Sequence, residues 1–184
     1  QPVKIVGDGE SQYGVELAGV RGPFWWASEA HWLRVSQPGV PDPVFFGGYG
    51  EIGYVLTGET RGYKNGIFGT VKPARPVGDG GWGAVEIAAR YDQVSYSGPL
   101  GGEGYSTTLG LNWYLLDWVR VTPNWIRWRT ENRAGAFAGA DEGNTVVGRV
   151  ADVATGLRAD VPGVIVGAEL LAQHVAFFDQ ALVQ

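Results

Sequence analysis

The stretch Tyr105-Ser-Thr-Thr-Leu-Gly-Leu-Asn-Trp-Tyr-Leu115 decides the fold class, because its side chains alternate between two characters without a break. The odd positions are mostly apolar or aromatic, and the even positions between them carry Ser, Thr, Gly, Asn and Tyr. Alternation with a period of two is the pattern of a β-strand whose two faces meet different surroundings. The sequence therefore predicts a strand here with one apolar face and one polar face.

The same alternation recurs along the chain in segments separated by turn residues. It predicts seven strands, at 13–20, 24–36, 44–57, 83–93, 105–115, 119–130 and 146–161. Tight links at 21–23 and 116–118 alternate with longer, Gly- or Pro-rich links at 37–43, 95–104 and 131–145. Short turns at one end and long loops at the other are typical of outer-membrane barrels. Residues 1–161 are therefore predicted to form an all-β, antiparallel transmembrane barrel segment.

Two places depart from this pattern. Pro123 lies inside the sixth predicted strand, where it cannot donate a hydrogen bond to a neighbouring strand. The tail at 162–184 follows no strand period, and Leu171, Val175 and Phe178 fall on one stripe at helical spacing. We expect this tail to be helical and separate from the barrel segment.

Composition excludes several classes of protein. The 184 residues contain 30 glycines, no cysteine, and 19 acidic against 14 basic residues, for a net charge of −5. Without cysteine there is no disulfide framework and no thiolate zinc site, and an acidic chain lacks the basic excess of a nucleic-acid binder. No apolar run approaches the ~20 residues of a spanning helix. A protein without metal or other cofactor is expected.

The spacing of the acidic residues also argues against a catalytic pair of carboxylates. Glu86 and Asp92 lie six residues apart on one predicted strand, which places them about 20 Å apart. Glycosidases hold their two carboxyl groups within about 10 Å. The sequence therefore does not predict an enzyme.

The apolar face of the predicted strands is rich in aromatic side chains. It carries Trp26, Trp32, Tyr54, Tyr91, Trp113 and Trp125. Membrane barrels place Trp and Tyr on the lipid side near the membrane interfaces. The alternative is a soluble β-sandwich, in which these aromatic side chains would form the core.

Several stretches together resemble the C-terminal part of the phosphate-selective porins of Gram-negative outer membranes. These stretches, in order, are Tyr54–Glu59, Phe68–Pro76, Gly80–Tyr91, Thr108–Leu115, Val119–Arg120 and Gly156–Ala159. The resemblance covers residues 12–161. It implies a sixteen-stranded trimeric barrel in the outer membrane, through which small anions such as phosphate diffuse. Seven strands are about half of such a barrel, so an additional barrel-forming chain or segment is implied as well.

The resemblance also implies an arginine-lined route and a lysine-bearing vestibule. Alternation directs Arg90, Arg120 and Arg158 to the polar face, where cations would guide anions. The link at 58–82 supplies a basic cluster, Arg61, Lys64, Lys72 and Arg75, with no acid between Thr60 and Val77.

The polar face carries acids as well as bases. The inward acids are Glu16, Glu29, Glu51, Glu86 and Asp92. The three arginines could therefore pair with Glu86, Asp92 or Asp160 and brace the wall, and the basic link could be a solvated turn. Two other functions follow from these alternatives: a non-conducting eight-stranded structural barrel, or a soluble ligand-binding β-domain.

Overall fold

A computed structural model describes residues 7–97, 101–132, 138–152 and 158–161, with the backbone alone described from residue 151 onward. Its strands are β1 (Gly9–Arg21), β2 (Phe24–Ser36), β3 (Val44–Val55), β4 (Tyr63–Lys64), β5 (Ile67–Phe68), β6 (Ala84–Tyr96), β7 (Gly102–Tyr114), β8 (Val119–Asn132), β9 (Gly139–Asp152) and β10 (Arg158–Val161). The predicted helical tail at 162–184 lies outside the described residues.

Eight of the strands form one sheet, in the order β1-β2-β3-β6-β7-β8-β9-β10. Each neighbouring pair is antiparallel, which confirms the predicted all-β antiparallel class. The sheet is open, with β1 at one edge and the short β10 at the other. In the described part of the chain, no helix is long and apolar enough to cross a membrane.

The C-terminal part of the sheet differs from the prediction. The segment 131–145 was expected to be a loop, but β9 begins at Gly139 and pairs along its whole length with β8. The predicted strand 146–161 is two antiparallel strands, β9 and β10, joined by 153–157. Among the described residues the sheet therefore has eight strands, one more than the seven segments that alternation located. Gly139 to Glu142 have weak β-propensity, and pairing with β8 overrides it.

Pro123 interrupts one ladder and leaves the other intact. The pairing of β7 with β8 stops at Gly110↔Asn124 and resumes at Trp113↔Val121. On the β9 side, Pro123 remains paired with Gly148. A proline without an N–H can occupy a strand only where the ladder does not need that donor.

The sheet has an apolar face, which we call the outer face, and a polar inner face. The exposed large side chains of the outer face include Tyr13, Val15, Leu17, Trp26, Trp32, Ile52, Tyr54, Ile87, Tyr91, Leu109, Trp113, Trp125 and Val146. All six aromatic residues predicted for this face are exposed. Soluble monomers rarely expose apolar patches of this extent, which mark membrane or protein contacts.

The long link at 58–82 folds over the inner face. Its Val71 is fully buried in a cluster with Val55, Ala84 and Tyr114, at the short-turn end of the sheet. Within the link, β4 and β5 form a hairpin whose turn residues Asn65 and Gly66 both have positive φ, at 52° and 80°. An Asn-Gly pair is the favoured sequence of such two-residue turns.

Candidate functional site

The middle of the inner face is occupied by a charge cluster around Arg90. The register places Arg90 directly opposite Glu51 of β3, and alternation puts Asp92 on the same face. The Arg90 guanidinium lies 2.7 Å from Asp92 Oδ1 and 3.3 Å from Glu51 Oε2. Its Cζ atom lies 3.8 Å from the centroid of the Tyr49 ring. Arg90 thus lies on the inner face that alternation assigned to it, and its two carboxylate partners together carry one more charge than it does.

A second cluster surrounds Glu86, whose side chain is fully buried. Three wall residues donate hydrogen bonds to its carboxylate: Trp25 Nε1 at 3.1 Å, Asn112 Nδ2 at 2.6 Å and Tyr114 OH at 3.5 Å. The fourth partner is Arg61 of the link, whose Nη1 lies 4.0 Å from Glu86 Oε1. A buried carboxylate requires such compensation, because burial alone strongly disfavours a charge.

Arg61 joins the link to the wall through aromatic rings as well. Its Cζ atom lies 4.2 Å from the centroid of the Trp25 ring and 5.0 Å from that of Phe68. The Trp25 and Phe68 rings are themselves 5.3 Å apart. A guanidinium at these distances is attracted to the ring faces. The hairpin β4–β5 therefore contacts the inner face through Trp25.

Trp25 lies flat over a glycine of the neighbouring strand. A Cβ atom at Gly53 would stand only 2.2 Å from the Trp25 ring, so no larger residue fits there without movement. The ring is 3% exposed, between Gly53 on one side and the link on the other. Glycine at position 53 is what allows the tryptophan to lie against the sheet.

Arg120 and Arg158 lie at another level of the sheet. Arg120 is opposite Tyr114, with its Cζ 5.6 Å from the ring centroid. Arg158 stands at the same level of the register, because both arginines pair with Ala151. Arg90 is level with Ile126, six residues along β8 from Arg120, or about 20 Å. The structure thus brings Arg120 and Arg158 to one level and leaves Arg90 apart.

The basic link divides into one half-buried member and three exposed ones. Lys64, Lys72 and Arg75 are exposed and form no salt bridge with any described residue, whereas Arg61 is paired with Glu86. Lys72 stands between Val71 and Pro73, both buried against the wall, so its side chain points away from the contact. The uncompensated charge of the link therefore belongs to these three side chains.

The start of the link is tied down by Thr57 and Glu59. Thr57 Oγ1 accepts a hydrogen bond from Val85 N at 3.1 Å and donates one to Glu59, which also accepts from Ala74 N at 3.0 Å. Partial burial by itself raises the pKa of Glu59, but the hydrogen bonds from Thr57 and Ala74 outweigh it and hold the pKa below the ordinary carboxyl value. These bonds thus connect the start of the link to Ala74 near its far end and to Val85 of β6.

The remaining inward acids lie near β1. Glu16 and Glu29 are directly opposite in the register, and Glu29 pairs with the ring of His31. Among the residues that the structure describes, no group of three or more His, Asp or Glu side chains could hold a metal ion. The arrangement offers hydrogen bonds and charge but no metal centre in this region.

A cavity of about 210 Å³ opens on the inner face between the link and the wall. Its polar lining includes Glu51, Arg61, Arg90, Thr108, Asn112 and Asn124. These groups can donate and accept hydrogen bonds to a polar solute or ion. Sequence reasoning missed the roles of Trp25, Asn112 and Tyr114 around Glu86, although their alternation with apolar neighbours already places them on the inner face.

Comparison with known proteins agrees with this arrangement. Residues 3–151 match the family described as phosphate-selective porin O and P. An uncharacterized protein of Caulobacter vibrioides is 40% identical over 118 residues, which cover 63% of this chain and 24% of the relative. Porin O of Pseudomonas aeruginosa is 28% identical over 158 residues, which cover 77% of this chain and 34% of the relative.

The chain spans about a quarter to a third of the length of these curated relatives. The family match nevertheless covers most of the chain, including every strand from β1 to β8 and nearly all of β9. Its antiparallel sheet, with an apolar outer face and a charged inner face, has the two-faced character of a porin wall. This chain belongs to the phosphate-selective porin O and P family.

Proposed function

We propose that this chain forms part of the wall of a passive channel for small anions, phosphate among them, in the outer membrane of Gram-negative bacteria. The observation that carries the proposal is the contrast between the two faces of one sheet. The outer face exposes large apolar side chains from β1 to β9, and the inner face bears ion pairs and a polar cavity. Lipid suits the first face and water suits the second.

The open edges of the sheet support a larger assembly. In lipid, an unpaired strand edge leaves backbone N–H and C=O groups unsatisfied, each at a cost of several kcal/mol. The edges β1 and β10 would therefore pair with further strands, supplied by the same polypeptide or by another chain, to close a barrel. Sixteen strands and a trimer are the arrangement that the family resemblance implies.

The preference for anions is supported by the link. Lys64, Lys72 and Arg75 add three exposed positive charges at the short-turn end of the inner face. A mouth of one charge sign raises the local concentration of oppositely charged solutes. Arg90 contributes less to this field, because the negative charges of Glu51 and Asp92 outweigh its positive charge. The anion attraction is therefore assigned to the link more than to the central wall.

A second candidate is a non-conducting structural barrel. The ion pairs Glu51–Arg90–Asp92 and Glu86–Arg61 favour it, because small closed barrels fill their interior with side chains, and these paired charges occupy the inner face. It predicts folded protein that carries no solute flux.

Phosphate efflux from loaded proteoliposomes tests the proposal. We expect efflux above that of empty vesicles, and slower efflux when Lys64, Lys72 and Arg75 are all changed to Gln. The matched control is Arg34→Gln, which removes an exposed arginine already paired with Asp42 at the other end of the sheet. Efflux equal to that of empty vesicles, from well-folded protein whose barrel is closed by the further strands, would favour the structural barrel.

A further inference from the structure

We propose that Glu86 is a positioning residue that holds the hairpin half of the link, residues 61–69, against the inner face and so sets the free width of the channel there. The part of this inference that concerns channel width depends on the proposed function. The part that concerns attachment of the hairpin depends only on the contacts around Glu86.

The Glu86 carboxylate is held in place by residues of the sheet. It lies on β6, and its fully buried carboxylate accepts hydrogen bonds from Trp25 of β2 and from Asn112 and Tyr114 of β7. These donors cross three neighbouring strand pairings of the sheet. The carboxylate position is thus determined by the sheet and not by the link.

The link meets this carboxylate through one cation. Arg61 is the residue whose salt bridge brings a positive charge to Glu86, and its side chain is only 18% exposed. The same guanidinium donates from Nε to Gly69 O at 3.2 Å, which closes the hairpin on itself. Arg61 therefore couples the hairpin's own fold to the buried carboxylate.

The other contacts of the link do not replace this one. Glu59 and Thr57 bond the start of the link to Ala74 and Val85, and Val71 packs with Val55, Ala84 and Tyr114. Those contacts hold residues on either side of the hairpin. The hairpin itself touches the wall through Arg61 and through Phe68, whose ring lies against Trp25. Loss of the Glu86 charge removes the electrostatic part of this attachment.

Limited trypsin digestion of the folded protein in detergent tests the attachment. Lys64 is exposed in the hairpin, and cleavage after it requires local release of the surrounding backbone. We expect Glu86→Gln to raise the rate of cleavage after Lys64 roughly tenfold, because it removes one partner of a buried ion pair. Arg61→Gln should raise the rate similarly, and the double variant should exceed neither single variant.

The matched control is Asp92→Asn. Asp92 lies on the same strand and face as Glu86 and is also paired with an arginine, but that arginine belongs to the wall. Cleavage after Lys64 should stay at the wild-type rate in this variant. A wild-type rate in folded Glu86→Gln, or an equal rise in Asp92→Asn, would overturn the proposal.

A second variant and a second measurement complete the test. If Glu86→Gln fails to fold, Arg61→Gln decides, because it leaves β6 unchanged, and wild-type cleavage in that variant overturns the attachment. In planar bilayers, released hairpins should shift the single-channel conductance of Glu86→Gln away from the wild-type value, and an unchanged conductance overturns the effect on width. Absence of any wild-type conductance from the closed barrel would reject the proposed function, while the digestion would still decide the attachment.

Discussion

At the scale of single residues, the pairing of Trp25 with Gly53 shows how a large side chain reaches the inner face. The ring lies where a Cβ atom of residue 53 would stand, so glycine there is a steric requirement and not a turn signal. With Trp25 in this place, its Nε1 can reach Glu86. The position of one glycine on β3 thus contributes to the geometry of a carboxylate on β6.

Gly53→Ala is expected to destabilise the folded protein by about 1–3 kcal/mol, the usual cost of adding volume to a packed site. The matched control is Gly50→Ala on the same strand, where an added Cβ atom meets nothing within 4 Å. Urea unfolding of both variants in detergent measures the difference. Equal stability of the two variants would show that the Trp25 ring moves aside without cost.

Arg90 is the residue whose removal should change the charge of the inner face most directly. Arg90→Gln leaves Glu51 and Asp92 without their shared cation, so the reversal potential should shift toward cation preference. Arg90→Lys keeps the charge and should shift it much less. The arginine side chain is 39% exposed, so the cost in stability should stay below about 1 kcal/mol. An unchanged reversal potential in Arg90→Gln would contradict a conducting path past this residue.

Alternation correctly predicted which face of the sheet these charged side chains occupy. Glu51, Glu86, Arg90 and Asp92 all lie on the face that the period of two assigned to them. The pairing of Arg90 with Asp92 was one of the alternatives that the sequence left open. The Arg61–Glu86 contact could not be predicted, because it depends on how a 25-residue link folds back. The charge roles of Arg90, Arg120 and Arg158 remain predictions.

At the scale of strands, the assignment of the outer face to lipid can be tested by placing the same charge on either face of one strand. Leu109→Arg places a charge on the exposed outer face of β7, where it should cost about 2–4 kcal/mol in the membrane. Thr108→Arg places the same side chain next to it on the inner face. We expect Leu109→Arg to reduce insertion into lipid vesicles, measured by the yield of heat-modifiable protein, and Thr108→Arg to insert normally. Equal insertion of both variants would contradict the assignment of the outer face to lipid.

The stability of the folded link should depend on pH through the Glu59 carboxyl group. Its folded-state pKa lies below the ordinary value of 4.5, so its stabilisation is complete above that value and is lost as pH falls through the lowered pKa. Thr57→Val removes one of the hydrogen bonds that lower the pKa, and the pKa should rise. A carbon-13 NMR titration of the Glu59 carboxyl group, with Thr57→Val beside the wild type, measures this. A wild-type carboxyl that titrates at or above 4.5 would contradict the hydrogen-bonded geometry.

The sequence pattern predicted which strands exist better than it predicted where they begin and end. Clear alternation located β1, β2, β3, β6, β7 and β8, whereas β9 was partly read as a loop because Gly139 to Gly143 lack apolar alternation. The hairpin β4–β5 was not predicted, although Asn65-Gly66 is a recognised hairpin signal. Its docking on Trp25 depends on contacts far apart in sequence, which periodicity does not report.

At the scale of the whole molecule, the two faces and the link combine into one account. In the proposed function the outer face contacts lipid, the charged inner face contacts water, and the link adds positive charge at one end. Sequence patterns predicted the apolar face, the polar face, the basic link and the resemblance to the family. The closure of the barrel, its strand number and its oligomeric state depend on pairing at β1 and β10, which a strand pattern within this chain does not contain.

The most direct test of this account is the reversal potential of the purified protein in a planar bilayer under a potassium chloride gradient. The account predicts conductance with anion preference, and a shift toward zero when Lys64, Lys72 and Arg75 are neutralised together. Cation preference would contradict the assignment to anions and would indicate that the inward carboxylates dominate. No conductance from well-folded protein, with its barrel closed by the further strands, would contradict the channel itself.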